Sequence, residues 1–152
     1  MIKLKEYAGY ISLNPINGVI FPSYIQNQMN KAFIENELSG KFYMSTNENM
    51  YSDNKIVLNS LILEKNRLSG VAMLSAFSLP EKFKVRKKIY SNLIKTKKKI
   101  YFIFEKFGIE NKKDIDFVEE YLMFRNNFFT KKKTSLTLEE NKNFVDSSWS
   151  FI

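Results

Sequence analysis

Short apolar runs, each closed by hydroxyl, amide or turn-forming residues and followed by a helix-period pattern, recur along this chain and constrain its fold more than any other feature. Parallel strands cannot be joined by a tight hairpin and need a crossover of a dozen or more residues, so this alternation dictates a layered α/β fold. Tyr7 to Ile11 is the first run, closed by Asn14-Pro15 and Asn17-Gly18. Pro22 then opens a helix with Tyr24, Ile25, Met29, Ala32 and Phe33 on its apolar positions, and Gly40 follows its end. Lys41 to Met44 is a second strand, leading through Ser45, Thr46, Asn47 and Glu48 to a helix over residues 53–65 that carries Ile56, Val57, Ser60, Leu61 and Leu63. Gly70 to Leu74 is continuously apolar, as in a strand buried on both faces of a parallel sheet. It ends in Ser75-Ala76-Phe77-Ser78-Leu79-Pro80, and Pro80 opens a helix to Lys95 with Phe83, Ile89, Tyr90, Leu93 and Ile94 inward. Ile100 to Phe104 is the fourth strand with Glu105 at its end, and a last helix, capped by Asp114, turns Phe117, Val118, Tyr121 and Leu122 inward.

The expected fold is a three-layer α/β sandwich with a mainly parallel sheet of four to five strands, flavodoxin-like or resolvase-like in topology. A chain of 152 residues, 44% of them hydrophobic, fills one such core. Residues 1–129 are expected as a single domain and 130–152 as a C-terminal extension. Within the extension, Lys131 to Lys133 read as a solvated linker, Thr137-Leu138-Glu139-Glu140 as the start of at most a short helix, and Trp149, Phe151 and Ile152 as a docking end. An aromatic content of 15% leaves apolar surface for a partner subunit, so a homo-oligomer is expected.

Two absences narrow the chemistry. The chain has no Cys, which removes disulfides, thiolate catalysis and cysteine-based zinc sites. It has no His, which removes the commonest neutral-pH base and metal ligand, and every Ser-His or Cys-His mechanism with them. Acid–base work falls to Glu, Asp, Lys or Tyr. No Walker A loop or G-x-G-x-x-G fingerprint is present, and neither a metal nor another cofactor is expected. The formal charge of +8 favours anions such as phosphosugars, nucleotides or nucleic acid, although Lys and Asn are abundant throughout and the excess reads first as composition. No apolar run is long enough to span a bilayer, and Met1 to Glu6 lacks the apolar core of a signal peptide, so a cytoplasmic location is expected.

Right-handed crossovers place the carboxyl ends of all the parallel strands on one edge, where open α/β sheets bind ligands. That edge gathers Ser12 and Asn14 from the first strand, Ser45, Asn47 and Glu48 from the second, Ser75 and Ser78 from the third, and Glu105 from the fourth. Tyr10, Asn17 and Phe77 join the ligand-facing set, with Gln26 and Asn27 at the start of the first helix. Hydroxyls, amides and carboxylates of this kind suit the hydroxyls of a sugar or the oxygens of a phosphate. Glu48 and Glu105 are the candidate acid and base, with a helix cap or a surface ion pair as their structural alternatives. Ser12 is a third catalytic candidate, but without His it is a poor nucleophile unless Lys or Arg activates it.

The motifs GYISLNPINGVIFPSYIQN, YMSTNENMY, SAFSLP and YFIFEKFGI resemble the sporadic carbohydrate cluster protein family, small bacterial proteins encoded among genes for surface polysaccharide and unusual-sugar biosynthesis. Gly9, Tyr10, Ser12, Pro22, Gln26, Asn27, Ser45, Glu48, Ser75, Leu79, Pro80 and Glu105 match the family pattern, while Asn14 stands where Arg is expected. The resemblance implies a role in bacterial surface-carbohydrate biosynthesis, with a sugar, phosphosugar or sugar nucleotide as the expected ligand; if the chain is an enzyme, isomerisation, epimerisation or group removal fits better than redox chemistry, since no cofactor fingerprint is present. A non-catalytic subunit of a biosynthetic enzyme is the alternative. A weaker similarity links the first strand, its Ser-bearing loop and the Gln-containing helix to the catalytic domain of serine recombinases. Those enzymes need a Ser supported by several Arg residues, whereas this chain has only Arg67, Arg86 and Arg125, so specific nucleic-acid binding is not expected.

Overall fold

The computed structural model describes residues 3–47, 56–64 and 67–135. In chain order these form β1 (Glu6–Ile11), α1 (Ser23–Asn36), β2 (Lys41–Asn47), α2 (Ile56–Glu64), β3 (Leu68–Met73), a 3-10 turn (Ala76–Ser78), α3 (Phe83–Thr96), β4 (Lys99–Phe102), β5 (Phe107–Ile109) and α4 (Lys112–Ser135). The chain divides into two compact units, Met1–Val118 and Glu119–Ile152, with the boundary inside α4. The whole sheet lies in the first.

The fold is α/β, with strand order β2-β1-β3-β4-β5. β1 pairs parallel with β2 and β3, β3 parallel with β4, and β4 antiparallel with β5. From β1 the chain travels outward to β2, then returns past β1 to β3 and on to β4. With right-handed crossovers this reversal puts α1 on one face and α2 and α3 on the other. The order reverses between β1 and β3, which is where a doubly wound sheet opens a crevice at its carboxyl edge.

β3 is buried along most of its length, with Val71, Ala72 and Met73 inaccessible to solvent, which explains its continuous apolar sequence. On the α2 and α3 face, Leu58, Leu61, Ile62, Ile89, Tyr90 and Leu93 fill the core, and Asn92 Nδ2 donates to Asn59 Oδ1 at 3.0 Å between the two helices. On the α1 face Tyr7, Ile34 and Ala72 form the centre, flanked by Phe33, Leu38, Phe42 and Tyr101. The ring of Tyr7 meets that of Tyr101 edge-on at 6.0 Å.

Helix α1 departs from its expected amphipathicity. Its buried stripe is Gln26, Asn30 and Ile34, while Tyr24 is 67% exposed and Ala32 also faces solvent. The amides go inward because the end of β1 leaves backbone groups that need partners. Asn30 Nδ2 donates to the Tyr10 carbonyl at 3.2 Å, and Gln26 serves Ser12 one turn earlier. Gly9 allows this close approach, since a Cβ there would lie 2.8 Å from Ser45 Oγ and 3.0 Å from Asn30 Cβ.

Other boundaries shift for local reasons. The apolar run after the third helix ends as a strand at Phe102, turns through Ile103–Lys106 with Lys106 at φ 53°, and returns as β5. Sequence reading extends the fourth strand through Phe104 and passes over β5 because Phe107-Gly108-Ile109 is too short to show alternation. α3 starts at Phe83 rather than Pro80, because the backbone is still extended at Lys82 (φ −79°, ψ 124°), and Phe83 and Ile94 lie exposed. It ends before Lys97, which adopts the left-handed conformation at φ 60°. α4 opens two residues before Asp114, whose N–H donates to Asn111 Oδ1 at 3.1 Å, so Asn111 is the capping side chain. α4 also continues through Lys131, Lys132 and Lys133, where a linker was expected, because no Gly or Pro interrupts a run of good helix formers. The expected helix at Thr137 and the apolar end at Trp149, Phe151 and Ile152 lie outside the described residues.

Candidate functional site

The carboxyl edge is organised as a row across the strand ends. Gly9 pairs with Ala72, and the same offset carries Ser12 to Ser75. Met73 pairs with Phe102, and the Ile103 and Phe104 N–H groups continue that ladder by donating to the Met73 and Leu74 carbonyls at 3.0 and 2.8 Å. Glu105 follows directly. Ser12, Ser75 and Glu105 therefore follow the ends of three neighbouring strands. Asn47 ends β2 with its side chain exposed, and Glu48, one residue on, lies outside the described residues.

Glu105 is turned inward. Its Oε1 accepts from Ser75 Oγ at 2.6 Å and from the Ala76 N–H at 2.8 Å, while its Oε2, like Glu6 Oε2, Asn30 Oδ1 and Thr46 Oγ1, is buried with no hydrogen-bond partner among the described residues. Ser75 is itself the cap of the 3-10 turn, accepting the Phe77 N–H at 3.2 Å. One hydroxyl thus joins a carboxylate to a backbone turn. Ser78 is buried in the same turn, its N–H donating to the Ser75 carbonyl at 2.9 Å, and Phe77 is partly buried between them.

The β1–α1 loop is held by Gln26, which is 1% exposed. Its Oε1 accepts the Ser12 N–H at 3.2 Å, and its Nε2 donates to the carbonyls of Ser12 and Phe21, each at 2.8 Å. Gln26 therefore treats Ser12 as a neighbouring strand would. Ser12 is buried, and its hydroxyl accepts the Asn14 N–H at 3.1 Å, closing a local turn. Beyond it, Ile16 and Val19 form a small antiparallel bridge around Asn17 at φ 53° and Gly18 at φ 82°. Two successive positive φ values explain the Asn-Gly pair. Phe21 from this loop meets Phe104 from the β4–β5 turn at 5.4 Å, so an aromatic pair flanks the row.

Of the remaining residues singled out in the sequence, Tyr10 is wholly buried in the core, and the Ser45 hydroxyl donates to Asn27 Oδ1 across α1 and β2. These two, with Gln26, build the scaffold beneath the row. Arg67 sits at the opposite edge, its Nε 3.5 Å from Glu6 Oε2 and its guanidinium 3.7 Å from the centre of the Tyr43 ring. Arg86 donates to the carbonyls of Pro80 and Glu81 at 3.0 and 2.6 Å. Among the described residues no three Asp or Glu side chains gather as a metal site, and no helix is long and apolar enough to cross a membrane.

One groove escaped sequence reading. A cavity of about 520 Å³ lies on the α1 face beside β4 and β5, lined by Phe33, Leu38, Tyr101, Ile103 and Phe107, with Glu37 and Lys106 contributing opposite charges. It holds none of the row's side chains. Its walls come from segments that only the strand order brings together, so periodicity within any one of them carries no trace of it.

The geometry defines a resolvase-like α/β fold with a polar carboxyl edge. No family model and no curated protein matches the chain. Among solved structures it is similar to the N-terminal catalytic domain of TP901-1 integrase, with a TM-score of 0.56 and 14% identity, covering 85% of this chain and 99% of that one. At that identity the likeness concerns the fold.

Proposed function

We propose that this chain is a carbohydrate-biosynthesis protein of the kind its motifs resemble, binding a sugar-type ligand at the carboxyl edge between β1 and β3. The observation that carries the reading is the row itself: Ser12, Ser75 and Glu105 on adjacent strand ends, with the Ser75 hydroxyl tied to the Glu105 carboxylate. Glu105 is the titratable side chain on this row, so proton-transfer chemistry such as isomerisation, epimerisation or elimination is the class it could support. Ser12 serves better as a positioning group than as a nucleophile, because its hydroxyl closes the turn to Asn14.

The fold likeness to an integrase catalytic domain raises nucleic-acid chemistry as a second reading. Against it stand the commitment of Arg67 to Glu6 and of Arg86 to two backbone carbonyls. Calorimetric titration with hexoses, hexose phosphates and nucleotide-sugars tests the first reading, with binding expected to weaken at least tenfold in Glu105→Gln. Silence across that panel, together with DNA retention at physiological salt, would replace the sugar reading with the second.

A further inference from the structure

We propose that the groove between α1 and the β4–β5 pair binds a free α-amino acid with an aromatic side chain, its ring inside and its zwitterionic head at the mouth. The groove is separate from the row, so the inference does not rest on the sugar reading. Helix α1 packs chiefly on β1, β2 and β3, which leaves Tyr101 of β4 and its partner Gly108 of β5 half-buried at the flank of the sheet. The cavity of about 520 Å³ opens there, a size suited to a small molecule.

Its walls are aromatic and held in place. The rings of Phe33 and Tyr101 stand 6.1 Å apart at 51°. Tyr101 is pinned at its far end, where its hydroxyl donates to Glu110 Oε1 at 3.3 Å, and Lys99 Nζ lies 3.5 Å from the same oxygen. Gly108 keeps the floor bare, since a Cβ there would lie 2.8 Å from Tyr101 Cδ1 and 2.9 Å from the Ile100 carbonyl oxygen. Tilted ring walls of this kind hold another ring best, through edge-to-face and offset contact.

Charge is confined to the mouth. The apolar lining is half-buried, whereas Glu37 and Lys106 are exposed, and among the described residues neither makes an ion pair. Glu37 closes the C-terminus of α1, its N–H donating to the Phe33 carbonyl at 2.8 Å, so the partial negative charge of the helix end adds to its carboxylate. Lys106 is set by the β4–β5 turn, where it holds φ 53° and its N–H donates to the Ile103 carbonyl at 3.3 Å. The mouth therefore offers a place for a cation on the helix side and for an anion on the turn side, with no net charge between them. A phosphate dianion is repelled by Glu37 and a simple amine by Lys106, while an ammonium and a carboxylate on one carbon satisfy both.

Amide chemical shifts of the full chain test this, read at Leu38 and Gly108 of the groove. The probes are L-phenylalanine, phenethylamine, 3-phenylpropionate and glycine. Phenylalanine is expected to move both amides and to leave those of Ser12 and Ala76 on the row in place. It should bind about threefold or more tighter than either single-charge analogue, the scale of an exposed ion pair. Glycine, which has no ring, should move neither amide. In Glu37→Gln the advantage of phenylalanine over 3-phenylpropionate should vanish, and in Lys106→Met its advantage over phenethylamine. Both side chains are exposed, so both variants are expected to fold. The inference is overturned if phenylalanine moves neither amide, if glycine moves them as readily, or if either variant keeps the full discrimination. Equal binding of phenylalanine and both analogues also overturns it, and marks the groove instead as an apolar anchor for another protein. Sugar binding at the row is read separately at Ala76, so either reading can fall without the other.

Discussion

Each edge of the parallel sheet carries a largely sheltered glutamate, and the two are treated in opposite ways. At the amino edge Glu6, with only 14% of its side chain exposed, lies 3.7 Å from Lys41 and 3.5 Å from Arg67, and Arg67 also stacks on Tyr43. Its charge ties the start of β1 to β2 and to the turn before β3. At the carboxyl edge Glu105 meets a hydroxyl and a backbone N–H and, among the described residues, no cation. The first carboxylate is neutralised within the fold and the second is not.

Substitutions at the two edges can break this contrast. The largest effect is expected from Gln26→Ala, which strips both backbone groups of Ser12 and the Phe21 carbonyl of their partner. Urea unfolding should show a loss of about 3 kcal/mol, since buried groups left unpaired each cost about 1 kcal/mol or more. A loss under about 1 kcal/mol would mean that Gln26 does not hold the loop. Next comes Arg67→Met, expected to cost about 1 kcal/mol, with high salt weakening the parent chain toward the variant. Glu105→Gln should lie within about 0.5 kcal/mol of the parent, because Gln keeps an acceptor for Ser75 and Ala76 while removing an unpaired charge. If it instead costs more than Arg67→Met, the carboxyl edge is a structural pair like the other, and the contrast fails.

The smallest effect concerns a residue at neither edge. Burial, Tyr7 and Glu110 hold the Tyr101 phenol well above its ordinary value of 10.0. The unfolded chain therefore releases this proton at a lower pH than the native chain does. Stability from Tyr101 is intact below about pH 10 and drains away as pH climbs beyond it. Thermal melts of Tyr101→Phe should fall less steeply with pH in that alkaline window than those of the parent.

Alternation of apolar runs with helical patterns was enough to read the layered fold, the parallel strands and the edge on which Ser12, Ser75 and Glu105 gather. The inward face of α1 was not legible, because hydropathy ranks Tyr24 above Gln26 while the end of β1 needs an amide more than an apolar contact. β5 was hidden because its antiparallel return depends on Lys106 adopting a positive φ, which nothing in the side chain announces. The tie between Glu105 and Ser75 spans 30 residues, and spacing could place both at an edge without joining them.

The Gln26 clamp also bears on the order in which the chain assembles. It joins residues only 14 apart, whereas the sheet cannot grow past β1 until Gly9 finds Ala72. The entropy of closing a loop rises with its length, which favours β1 and α1 as the earliest piece to close. A variant that loosens Gln26 should then slow refolding as well as weaken the native state, whereas loss of Arg67, whose contacts form when β3 arrives, should chiefly hasten unfolding.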